Sequence, residues 1–104
     1  MIRPLVVQGS PEAPKGLAAM AGSGPAVTLT WKGPIFPPPV VKYLAQRAED
    51  EEFRRGLESF TAAAAASSLT DDSAQAGRTY FYRVRAAAAA GSSPWSAPAQ
   101  VTLP

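Results

Sequence analysis

Residues 79–86, Thr-Tyr-Phe-Tyr-Arg-Val-Arg-Ala, alternate strictly with period two. Tyr80, Tyr82, Val84 and Ala86 fall on one side, Arg83 and Arg85 on the other. A run of aromatic and β-branched residues with that period fits a half-buried strand and no helix. The pattern predicts the first set inward and the arginines outward. Two further segments alternate the same way. Ala26–Trp31 groups Val27, Leu29 and Trp31 against Thr28 and Thr30, and Val41–Arg47 groups Val41, Tyr43 and Ala45. Weaker strands are predicted at 16–20, 53–57, 60–69 and 99–103.

Eleven prolines and eight glycines punctuate the 104 residues. Pro4, Pro11 and Pro14 make the first residues an extended, semi-stiff lead-in. Pro34 and Pro37–Pro39 mark a loop, and Pro94, Pro98 and Pro104 flank the last apolar run. Short segments between turn signals at about 8 to 16 residues are the rhythm of an all-β sandwich. The alanine runs 62–66 and 86–90 argue the other way, since Ala is the best helix former. Five residues are too few to nucleate a helix in water. The second run continues a strong strand into the turn at Gly91-Ser92-Ser93-Pro94, and the first reads as strand, with a short helical turn as its alternative.

With 21 alanines, Val, Leu, Ile and Phe number only 20, so the core must be lean. A net charge of +2 with 17% charged residues is too low for a disordered chain, which leaves a small folded domain. The chain has no Cys and no His. That excludes disulfide frameworks, Cys/His zinc sites and any Ser-His or Cys-His catalytic pair. No run reaches the roughly 18 apolar residues of a membrane-spanning helix, and Met1–Val7 lacks the long apolar region of a signal peptide. A pI near 9.3 could suggest nucleic acid. The bases are scattered, however, and Glu49–Glu52 forms an acidic run, so no nucleic-acid partner is expected.

Five pieces in order resemble the fibronectin type III family. They are Pro14-Lys15-Gly16-Leu17; Val27-Thr28-Leu29-Thr30-Trp31; Tyr43-Leu44-Ala45-Gln46-Arg47; Ala76-Gly77-Arg78-Thr79-Tyr80 running on through Val84-Arg85-Ala86; and Gly91-Ser92-Ser93-Pro94-Trp95-Ser96-Ala97-Pro98. The resemblance covers residues 11–104 and leaves 1–10 as a lead-in or linker. It implies an immunoglobulin-like, seven-strand antiparallel sandwich with sheets A-B-E and C′-C-F-G. The implied core contains Leu17, Val27, Leu29, Trp31, Tyr43, Leu69, Tyr82 and Val84. Tyr80 takes the tyrosine-corner position, whose hydroxyl bonds to upstream backbone and so avoids a burial cost of about 1–3 kcal/mol. Ala74 stands where the family usually has Leu, a difference worth about 2–5 kcal/mol in a core with nothing to compensate. Leu69 and Phe60 are candidates to supply the bulk. The loop after strand B is unusually rich in Pro and carries Ile35 and Phe36.

No catalytic, cofactor or metal site is expected. Neighbouring carboxylates in a loop point apart, whereas glycosidase chemistry needs two facing across about 5 to 10 Å. Glu49–Glu52 therefore reads as a solvated loop, and Asp71-Asp72 as turn-capping residues. The segment 33–40 matches a bare Pro-x-x-Pro but reads first as a stiffened loop. Arg83, Arg85 and Trp95, if adjacent, permit cation–π stacking. With Phe36 they form the candidate interaction surface. The function expected is a non-catalytic module of a larger multidomain protein, meeting a protein partner or its neighbouring domains, or serving as a spacer. The alternative is a carbohydrate-binding accessory module using Trp95 and loop aromatics. Val6-Val7, or an unprotected edge strand, offers a surface for self-association. The resemblance leans toward an extracellular or cell-surface setting and leaves an intracellular scaffold open.

Overall fold

The computed structural model describes residues 10–22 and 24–104. The lead-in at 1–9, with Val6 and Val7, lies outside the described residues. Alternation decides the elements, and the described residues form strands and no helix. Val41 is the exception, lying just before β3 (Lys42–Ala48) and exposed instead of joining Tyr43 and Ala45 inside. One sheet runs β1 (Lys15–Ala21), β2 (Val27–Lys32), β5 (Ser68–Asp71). The other runs β4 (Glu58–Ala63), β3 (Lys42–Ala48), β6 (Thr79–Ala88), and then β7 (Gly91–Ser92) and β8 (Ala99–Thr102), both paired with β6. All pairings are antiparallel. Because β7 and β8 are two stretches of one final strand, the architecture is the seven-strand sandwich with sheets A-B-E and C′-C-F-G.

The inward sets meet between the sheets. Val27, Leu29, Trp31, Tyr43, Ala45, Tyr80, Tyr82, Val84 and Ala86 are buried in one cluster with Ala74 and Leu103. Leu17, Phe60, Leu69 and Val101 pack against its rim and are half-buried. Aromatic rings supply volume that the alanines do not: Trp31 and Tyr43 lie 5.3 Å apart between centroids at 57°, a tilted contact that rings favour. Where β2 turns into the Pro-rich loop, Gly33 passes directly over the Tyr43 hydroxyl, and a Cβ there would collide with it.

Two weak strands come out differently. Residues 53–57 form a loop rather than a strand, with Phe53 at φ 57° and Gly56 at φ 63°. Residues 60–69 are not one strand. Ala62 and Ala63 finish β4, Ala64 and Ala65 turn, and the Ala66 N–H donates to the Ala63 carbonyl at 2.9 Å. The physical reason is topological, because β4 and β5 belong to opposite sheets and the chain must cross between them. The second alanine run is strand to Ala88 as read, but the turn comes early, at Ala89–Ala90. Gly91–Ser92 pair with β6 instead of turning, because the chain has already reversed.

Candidate interaction surface

The final strand leaves its ladder between β7 and β8, and this break positions Trp95. Pro94 and Pro98 have no N–H to donate to β6. Side chains replace part of the missing ladder. The Val84 N–H donates to Ser96 Oγ at 3.0 Å, and the Ala86 N–H to Ser93 Oγ at 2.9 Å. In return the Ser96 and Ser93 N–H groups donate to the carbonyls of Val84 and Ala86. Both serines are buried. Held at these two points, the segment carries the Trp95 indole onto the outer face of β6.

There the arginines meet it. The guanidinium carbons of Arg83 and Arg85 each lie 4.4 Å from the Trp95 ring centroid. Arg83 is also 4.2 Å from the Phe53 centroid, so one cation is shared by two rings. Its Nε and one terminal nitrogen donate to Gln46 Oε1 at 2.9 and 2.7 Å. Burial, reinforced by the like charge of Arg85, holds the Arg83 pKa below its usual range. The Arg85 Nε is buried with no acceptor in the protein. Arg83, Arg85 and Trp95 are thus brought together. Phe36 is not part of this cluster. It stands on the loop between β2 and β3, 64% exposed beside Ile35 at 84%.

Sequence reasoning missed Phe53 and the buried charges. Phe53 adopts a left-handed backbone conformation that bulky residues avoid, and its ring is thereby buried under Arg83. Asp71 does more than cap a turn, although Oδ1 does accept from the Ser73 N–H and hydroxyl at 2.9 and 2.7 Å. It ends β5 with its side chain fully enclosed. Arg47 donates to Asp71 Oδ2 at 2.9 Å and Tyr82 to the same oxygen at 2.7 Å. Burial opposes the Asp71 charge, yet bonds from Ser73, Tyr82 and Arg47 outweigh it and hold the carboxyl below the usual range. Burial and the bond to that carboxylate push the Tyr82 phenol up. The signal was present: counting by twos from Tyr43 and Ala45 reaches Arg47 on the inner face.

The acidic loop has a local role. Asp50 Oδ1 accepts the N–H groups of Arg54 and Arg55 at 2.9 and 2.8 Å, which lowers its pKa, the Arg55 bond most of all. Glu51 and Glu52 are exposed. Among the described residues no cluster of three acidic side chains could hold a metal ion. The Tyr80 hydroxyl accepts the Gln75 N–H at 3.0 Å.

The model of the family described as "Fibronectin type III domain" matches residues 12–102. Among solved structures, an Fn3-like protein from Clostridium thermocellum is 25% identical, over 90% of this chain and 94% of that one, with a TM-score of 0.74. The fn3 domain of the human collagen alpha-1(XX) chain is 22% identical, over 95% and 90%, with a TM-score of 0.77. The twitchin kinase region from C. elegans is 23% identical over 91% of this chain but 17% of its own length, also with a TM-score of 0.77. The last two likenesses carry the fold alone. No curated protein matches the sequence.

Proposed function

The chain belongs to the fibronectin type III family, and from that membership we propose a non-catalytic module of a larger multidomain protein, serving as spacer and as contact surface for neighbouring domains or a protein partner. The buried ionisable groups support this reading, because Arg47 and Tyr82 both donate to Asp71 inside the sandwich instead of facing a cleft. The contact role rests on one observation: Ile35 and Phe36 stand exposed on a loop stiffened by four prolines. A rigid apolar loop tip loses little entropy when covered and gains from burial.

The experiment compares amide spectra of this domain alone and joined to its natural neighbour. Shifts confined to the 33–40 loop support contact through it, whereas an unchanged loop leaves only the spacer role. Turnover abolished by Glu51→Gln would overturn the non-catalytic reading. The glycan alternative gains nothing from Trp95, since a sugar ring would have to displace a guanidinium already stacked there. Titration calorimetry against a glycan panel should therefore give no heat above background.

A further inference from the structure

We infer that the outer face of the β4-β3-β6 sheet binds an acidic peptide segment, with a carboxylate seated on Arg85 and Lys42 beside it. This rests on the interaction-module reading and names the chemistry of the partner. Three observations carry it. First, Tyr43, Ala45, Tyr82 and Val84 point inward, so the outward residues of β3, β4 and β6 include Lys42, Arg83 and Arg85 and no Asp or Glu; the exposed Glu58 at the start of β4 pairs with the inward Arg47 and so belongs to the other face. Second, the two ion pairs among the described residues, Arg47–Asp71 and Arg78–Glu49, use neither of these arginines. Third, Arg83 is engaged by Gln46, whereas Arg85 is held by Trp95 with its Nε buried and unmatched.

A guanidinium fixed on an indole has already lost much of its rotamer freedom and part of its water. Its planar fork fits a carboxylate with two parallel bonds. An anion at Arg85 would also offset the repulsion between the two guanidiniums.

An acidic peptide fits better than a sulfated or phosphorylated polymer. Binding of sulfated or phosphorylated polymers grows with the number of charges neutralised, and this face offers three. Leu44 sits directly across from Arg85 on β3, with Thr61 beyond it on β4. One apolar and one hydroxyl group next to the cations suit the side chains and backbone amides around a Glu or Asp.

The test is a titration of nitrogen-15-labelled protein with a capped hexaglutamate peptide at low salt, reading the arginine Nε–H signals and the backbone amides together. The Arg85 Nε–H signal should move and saturate, and a hexaglutamine control should leave it still. Arg85→Gln should weaken binding about tenfold, as expected for a lost charge-assisted pair. Lys42→Gln lies outside the ring stack and should weaken it about two- to threefold without disturbing the fold, a rim-charge effect. Three results would each overturn the inference: no shift at Arg85, shifts spread evenly over all Lys and Arg residues, or a heparin hexasaccharide moving these signals where hexaglutamate does not. Any of them leaves the spacer reading intact, because that reading is tested by the neighbour-domain comparison.

Discussion

Removing the Asp71 carboxylate would leave the Arg47 guanidinium enclosed without its counter-charge. Truncating one partner of a buried pair costs about 3–5 kcal/mol, far more than a surface pair is worth. Asp71→Asn should therefore lower unfolding free energy by about that amount at neutral pH, read from urea denaturation. The same residue sets the acid limb. Its carboxyl titrates below the unfolded value near pH 4, so its contribution is whole above that value and is lost as pH falls through the lower folded-state pKa. The wild-type stability should drop below about pH 4, and Asp71→Asn should be flatter there. A steeper acid slope in the variant would show that other carboxylates govern it. Tyr80 makes a smaller, separable case. Tyr80→Phe removes the acceptor of the Gln75 N–H and should cost about 1–3 kcal/mol with no change in the acid limb.

Elements differ in how far the sequence announces them. β2, β3 and β6 are legible because each alternates over six or more residues, and burying one face fixes their phase. β4 is not, because Ser, Thr and Ala carry little contrast between faces and the preceding loop holds Phe53, an apolar residue that looks like strand material. Its ring packs under the Arg83 guanidinium, and the residue belongs to no ladder. The arginines on β6 were legible as outward, but the loop aromatic beneath Arg83 and the orphaned nitrogen on Arg85 depend on distant segments and leave no local pattern. The break between β7 and β8 is intermediate: the prolines announce it, while the serine replacements appear only in three dimensions. Ser96→Ala should leave the buried Val84 N–H without its acceptor and cost about 1–3 kcal/mol. Hydrogen exchange at Val84 should accelerate with it, whereas equal protection in both proteins would mean that another acceptor takes over.

At the scale of the whole molecule, stability and contact are assigned to different residues. The sandwich is held by aromatic rings packed between its sheets, with the Arg47–Asp71 pair enclosed beside them, whereas Ile35 and Phe36 stand exposed on the loop between β2 and β3. Surface substitutions of this kind usually change stability by within about 0.5 kcal/mol. Replacing Ile35 and Phe36 together with Ser should therefore leave the urea midpoint of the isolated domain nearly unchanged. In a two-domain piece that includes the natural neighbour on the loop side, the same change should widen the distribution of interdomain distances seen by small-angle scattering, since a covered apolar tip restrains the hinge and a polar one does not. A large loss of stability in the isolated domain would place the two side chains in the core's service instead. An unaltered scattering profile would assign the restraint to the linker's prolines, leaving the loop free for an outside partner.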